Sequence, residues 1–186
     1  YLRLNNMKFL AIIPARYAST RFPAKPLAML GGKPVIQHVY ERVSSILEAV
    51  VATDDKRIYD VVEAFGGKVV MTSTEHRTGT DRCLEAYNNY GVEADVVINV
   101  QGDEPFIAEE QIRGLMQCFD NEQTDIATLI KPFPANATFE VLSNPNTPKV
   151  ITNPQGQAIY FSRSVIPYLR GQNENEWASL RTYYKH

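Results

Sequence analysis

Phe9-Leu10-Ala11-Ile12-Ile13, followed by Pro14-Ala15-Arg16-Tyr17-Ala18-Ser19-Thr20-Arg21-Phe22-Pro23-Ala24-Lys25-Pro26, is the stretch that decides the fold. The apolar run is too continuous for a half-exposed strand and predicts a parallel strand buried on both faces. Pro14 is expected to end it, because proline has no N–H to give a ladder. The following residues carry three cations (Arg16, Arg21, Lys25), two hydroxyls (Ser19, Thr20) and further prolines that stiffen the path. Ala15 and Ala18 are small enough to let a ligand approach the backbone. Guanidinium forks, an ammonium and backbone N–H groups together suit a polyphosphate. Scattered cations alone would read as a solvated basic loop. Their place after a buried first strand, where open α/β sheets bind ligands, favours the phosphate reading.

Composition sets the frame for that loop. A chain of 186 residues, 44% hydrophobic and 22% charged, is long enough for a well-buried globular domain. A net charge of −2 argues against a general nucleic-acid binder. No apolar run approaches a membrane span, and no charged-then-apolar leader opens the chain. Tyr1–Asn6 precede Met7 and read as an extraneous or loose terminus, so the domain is placed at residues 7–186. Cys83 and Cys118 fall on predicted helices far apart in sequence. Two buried thiols in a reducing, cytoplasmic setting are expected rather than a disulfide.

Further along, Gly31-Gly32-Lys33-Pro34 is a turn with Pro34 as the first residue of a helix. Ile36, Val39, Tyr40, Val43 and Leu47 give that helix one buried stripe, and His38 lies off it. Ser45-Ile46-Leu47-Glu48 has no Gly, Asn or Pro to turn the chain into the next strand, Ala49–Thr53. Thr53-Asp54-Asp55 ends that strand and caps a helix carrying Ile58, Val61, Val62 and Phe65. Gly66-Gly67 closes it, and Lys68–Met71 forms a third strand. The polar segment 72–80 leads into a helix with Cys83, Leu84 and Tyr87 inward; His76 reads as solvated.

Asp95–Val100 is the clearest strand in the chain. It runs into Gln101-Gly102-Asp103-Glu104-Pro105, where a flexible glycine precedes paired carboxylates. Asp103-Glu104-Pro105 alone reads equally as a helix start or as a carboxylate for Mg²⁺ at a strand end. The cationic loop expected at the same sheet edge favours the metal reading for Asp103 and leaves Glu104 as a cap or outer contact. Ile112, Leu115, Met116 and Phe119 mark another helix. A strand is predicted over 125–131, a short helix near Phe139–Leu142, and a hairpin turning at Asn153-Pro154-Gln155-Gly156, whose returning strand Ala158–Ser162 delivers Arg163. The fold class is three-layer α/β, a mostly parallel Rossmann-like sheet with a smaller lobe built from the later strands.

The loop 13–27 resembles the signature loop of the sugar-acid cytidylyltransferases, the 3-deoxy-D-manno-octulosonate (Kdo) branch in particular. Ala52-Thr53-Asp54, Gly79-Thr80-Asp81-Arg82, Val100-Gln101-Gly102-Asp103-Glu104-Pro105 and Tyr160-Phe161-Ser162-Arg163 agree in the same order. The resemblance implies a nucleotidyltransferase taking CTP and Kdo to CMP-Kdo and diphosphate for lipopolysaccharide biosynthesis, with Mg²⁺, as a cytoplasmic homodimer. It implies nucleotide contacts from Ala15, Arg16, Ser19, Arg21, Lys25, Arg77, Thr78, Gly79, Arg82 and Gln101. Arg16, Lys25 and Asp103 are the catalytic candidates, with Asp103 the metal ligand. Lys149, Arg163 and His186 are the sugar-acid candidates, the first two with ordinary surface charge as the competing reading. It also implies further chain after His186, including a second metal-binding Asp.

The absence of a nucleophile elbow, a Cys/His pair or a His-rich metal motif suits a reaction in which the substrate's own oxygen attacks phosphorus. No P-loop and no Gly-x-Gly-x-x-Gly is present, against an ordinary ATPase and a dinucleotide oxidoreductase. The rival readings are a CMP-sialic acid synthetase and a module that binds CTP without turning it over.

Overall fold

The computed structural model describes residues 7–18 and 24–186, in two compact units, one ending at Asp125 and the other running from Ile126 to His186. The first unit opens with β1 (Phe9–Ala15), a turn of 3₁₀ helix at Lys25–Leu27, and a hairpin of β2 (Met29–Leu30) and β3 (Lys33–Pro34). Then follow α1 (Val35–Ser44), β4 (Glu48–Thr53), α2 (Lys56–Ala64), β5 (Val69–Met71), α3 (Gly79–Tyr90), β6 (Val96–Asn99) and α4 (Glu109–Cys118). The sheet runs β5-β4-β1-β6, every pair parallel, with Leu10 opposite Glu48 and Ile12 opposite Asn99.

The run that predicted a doubly buried strand sits at the sheet centre, Leu10 to Ile13 each at most 1% exposed. Its alternate side chains serve two faces. Ala11, Ile13 and Ala15 pack with Ile36, Val39 and Val43 of α1, Ile58 and Val62 of α2, and Ile112 of α4. Leu10 and Ile12 pack with Cys83 and Ala86 of α3. Helices thus cover both faces, the three-layer α/β arrangement read from the sequence.

Pro14 does not end the strand. It lies within β1, opposite Ala52. Ile12, of the same parity, gives its carbonyl to the Val100 N–H on the β6 side. The N–H that proline lacks falls on that side too, where pairing has ended at Asn99, while β4 continues to Thr53. Pro34 likewise stands one place earlier than expected, at the N-cap of α1. The turn before it is a two-residue hairpin loop with Gly31 and Gly32 at φ +57° and +86°, the conformation a type I′ turn demands. Helix α1 hands over to β4 without Gly, Asn or Pro: Ser45 stays helical, and the Ile46 and Leu47 N–H groups both donate to the Val43 carbonyl.

Leu84, predicted inward, is 62% exposed, because Arg82, Cys83 and Ala86 fix which face of α3 meets the sheet. Cys118 is also exposed, contrary to expectation, whereas Cys83 is buried and its thiol is pushed up to about 12 by that burial.

The second unit contains β7 (Lys131–Pro132), α5 (Phe139–Ser143), β8 (Lys149–Thr152), β9 (Ala158–Ser162), α6 (Trp177–Leu180) and β10 (Tyr184–Lys185). Its antiparallel sheet runs β7-β10-β8-β9. The strand expected over 125–131 shrinks to Lys131–Pro132, because β10 offers only Tyr184 and Lys185 to pair with it. Trp177, 1% exposed, anchors the core with Phe139 and Tyr168 edge-on to its ring and Tyr183 stacked over it.

Candidate active site

The carboxyl ends of β1 and β6 meet at a glycine. A Cβ on Gly102 would lie 2.8 Å from the Pro14 carbonyl oxygen, so only glycine lets the segment after β6 press onto the end of β1. This close approach sets Gln101 and Asp103 beside Ala15 and Arg16 around an open cleft of about 290 Å³. Lys25 and Pro26 close one side, and Arg77 with Gly79 another, so four chain segments converge within the first unit.

Charge in the cleft is mostly positive. The Lys25 ammonium donates to Asp103 Oδ2 at 2.7 Å, both side chains being about half exposed. Oδ1 of Asp103 has no hydrogen-bond partner among the described residues. Arg16 Nη2 donates to the carbonyls of His76 at 2.5 Å and Thr78 at 3.3 Å, straddling Arg77. Arg77 itself is exposed and makes no hydrogen bond among the described residues. The loop is closed at its base by the Ala24 N–H on the Tyr17 carbonyl, 2.9 Å. Ser19 and Arg21, two further phosphate candidates, lie outside the described residues.

Gly79, the first residue of α3, lines the cleft, which turns that helix's unsatisfied N–H groups and positive dipole end towards it. Thr78 is occupied as the N-cap: its hydroxyl accepts from the Asp81 N–H at 3.1 Å and donates to the Asp81 carboxylate at 2.7 Å. His76 is not simply solvated. Its Nε2 sits on Glu85 Oε2, which also accepts the Ser73 N–H at 2.9 Å, and these two contacts hold the Glu85 carboxyl below its usual range.

Arg82 is placed differently from the nucleotide-contact expectation. It is fully buried, donating to Asp54 Oδ2 at 2.5 Å and to the Thr72 hydroxyl, and it does not line the cleft. Its Nε has no partner among the described residues. The Asp54–Arg82 pair joins the end of β4 to the first turn of α3 and so fixes where Gly79 sits. Sequence reading treated Asp54 as a cap. The available signal was Arg82's place on the same helical face as Cys83 and Ala86.

The three sugar-acid candidates lie in the second unit. Lys149 is neither a surface charge nor open to a ligand: it is fully buried and its ammonium donates to the carbonyls of Asn144, Thr147 and Arg163 at 2.7–2.9 Å. Burial, and secondarily the nearby Arg163 charge, lower its pKa. Arg163 donates to the Pro145 carbonyl at 2.5 Å and lines a second cavity of about 390 Å³ with Ser143, Tyr168 and Trp177. His186 is outside that lining; its Nε2 pairs with the Thr128 hydroxyl at 2.7 Å and its ring meets Phe161 edge-on.

Among the described residues no group of three or more His, Cys, Asp or Glu gathers to hold a metal. Asp103 alone nevertheless fits Mg²⁺, which takes one or two carboxylates and completes its shell with phosphate and water. Its half-exposed carboxylate, with Oδ1 unengaged among the described residues, is the kind of donor such an ion uses.

The family model for cytidylyltransferases matches residues 10–186. The 3-deoxy-manno-octulosonate cytidylyltransferase of Bacteroides thetaiotaomicron is 61% identical over 181 residues, 97% of this chain and 72% of that protein. Its counterpart in Parabacteroides distasonis is 59% identical over 182 residues, with the same 97% and 72% coverage. A solved structure of CMP:2-keto-3-deoxy-manno-octonic acid synthetase complexed with CTP superposes with a TM-score of 0.85 at 44% identity, over 96% of this chain and 71% of that one. With the cleft's loop, glycine junction and carboxylate all inside the matched span, the chain belongs to the cytidylyltransferase family, in its 3-deoxy-manno-octulosonate branch.

Proposed function

We propose that this chain carries out cytidylyl transfer from CTP to Kdo, giving CMP-Kdo and diphosphate, in the cleft at the ends of β1 and β6. The observation that carries the reading is that Arg16, Lys25 and Arg77 line one cleft with the carboxylate of Asp103, the one acid in its lining among the described residues. Such a cluster suits a triphosphate, because phosphoryl chemistry asks the protein chiefly to position charges and neutralise them. Arg16 and Lys25, with Ser19 and Arg21, hold the triphosphate. The anomeric hydroxyl of Kdo attacks the α-phosphorus in line, and the bond to the β-phosphate oxygen breaks. Lys25 then balances negative charge on the departing diphosphate. Arg77, Gly79 and Gln101 border the same space and contact the nucleotide, with Ala15 leaving room beside it. Asp103 would hold Mg²⁺, which when bound would supply positive charge to the phosphates. Arg163 and His186 are proposed for the sugar acid.

Kdo as the acceptor supports a role in lipopolysaccharide synthesis, and the family resemblance alone supports a cytoplasmic homodimer. No helix among the described residues is long and apolar enough to cross a membrane. The test is diphosphate release from CTP and Mg²⁺, with Kdo and a sialic acid as parallel acceptors. Release with Kdo alone is expected. Release with sialic acid overturns the substrate, and tight CTP binding without release from either favours a binding module.

A further inference from the structure

We infer that Arg57, a residue of α2 outside the cleft, is a positioning residue for the phosphate-binding loop and acts through the ring of Tyr17. The inference rests on the proposal that this loop holds the triphosphate of CTP.

The guanidinium carbon of Arg57 lies 3.2 Å from the centroid of the Tyr17 ring, a stacked cation–π contact. The guanidinium is not free to wander from that ring. Its Nε donates to Asp55 Oδ1 at 2.9 Å and its Nη2 to Asp55 Oδ2 at 2.6 Å, a fork that fixes the plane it presents. Asp55 is itself fixed as the N-cap of α2, accepting the Arg57 N–H at 2.9 Å. On its other side Tyr17 packs partly buried against the core cluster around β1.

Tyr17 is where the loop is tied. It follows Arg16, which lines the cleft, and its carbonyl receives the Ala24 N–H that closes the loop one residue before Lys25. Helix α2 also rests against the Lys25–Leu27 turn. A contact on the Tyr17 ring therefore holds both ends of the loop at once. Asp55 and Arg57 alone would be an ordinary local pair at a helix start. The ring stacked between guanidinium and core gives the pair a reach across 40 residues of sequence, from Arg57 back to Tyr17.

The test uses the whole enzyme. In Arg57→Ala the cap contact to the Arg57 backbone N–H survives, so the melting temperature should fall by no more than about 4 °C. Loss of a cation–π contact at a solvent-facing guanidinium should raise KM for CTP roughly two- to fivefold, with kcat changed less than twofold. Amide exchange at Ala24, measured without nucleotide, should quicken by a similar factor. Arg57→Lys should recover part of both effects, since an ammonium can lie over the ring but cannot fork onto Asp55. Tyr17→Phe, which keeps the ring and loses only the hydroxyl beside Arg57, should stay closer to wild type than Tyr17→Leu. Tyr17→Leu should reproduce Arg57→Ala, and the double variant should be no worse than either single one. Unchanged KM and unchanged Ala24 exchange in Arg57→Ala overturn the inference, as does a fully additive double variant. If the wild type binds no CTP, the phosphate reading fails, and Ala24 exchange still decides whether Arg57 anchors the loop.

Discussion

At the scale of single residues, similar side chains play opposed parts according to what surrounds them. Asp103 is half exposed, with Oδ1 unengaged among the described residues, so its removal is expected to touch chemistry rather than packing. Asp103→Ala is expected to lower turnover by at least about 100-fold with an unchanged melting curve, measured as diphosphate release beside thermal unfolding. Asp54 is also a carboxylate at the end of a parallel strand, but its partner is the buried Arg82 guanidinium. Arg82→Met leaves that acid unpaired. The expected loss is on the order of 3 kcal/mol, read as a lower urea midpoint, because breaking one half of a buried pair strands the other charge. Lys149 belongs with Arg82: three carbonyls accept hydrogen bonds from its ammonium, and its place is inside the second unit.

At the scale of elements, the cleft is made by where strands stop. β6 ends at Asn99 while β1 and β4 run on, and the space left over the end of β1 is filled by the backbone of Gly102. Gly102→Ala puts a methyl 2.8 Å from the Pro14 carbonyl oxygen, with Ile36 and Ala15 also close. The backbone must shift to admit it, and Gln101 and Asp103 shift with it. We expect kcat/KM for CTP to fall more than about tenfold, a larger effect than on stability, because small displacements at a reacting centre are costly. The same glycine shows how far the sequence alone went at this scale. Gln101-Gly102-Asp103 was legible as a turn with a carboxylate, but the reason for the glycine, a carbonyl nearly 90 residues earlier, was not.

At the scale of the whole molecule, exposed ion pairs set the response to acid. Glu41 is held below the ordinary carboxylate range chiefly by Lys33, Glu48 by Lys68, and Asp55 by Arg57. A carboxyl that releases its proton more readily when folded adds stability above the ordinary range of about 4 to 5, and that stability is lost as pH falls through the lowered values. Urea unfolding between pH 6 and pH 3 should therefore show a falling midpoint, and 1 M salt should flatten the slope because these pairs face solvent. The sequence by itself determined the buried first strand, the stripes of α1, α2 and α4, and the nearness of Arg16 and Lys25 to the carboxylate at the sheet edge. The strand and the stripes are set by contiguous residues, whose periodicity and composition act over a few positions. Only the tertiary structure decided that Pro14 lies inside β1, that 125–131 is barely a strand, that Arg82 turns onto Asp54, that Lys149 is sealed under three carbonyls and that Arg57 stacks on Tyr17. A strand needs a partner to pair with and a charge needs a partner to meet, and both partners are brought within reach by folding rather than by neighbourhood in the chain.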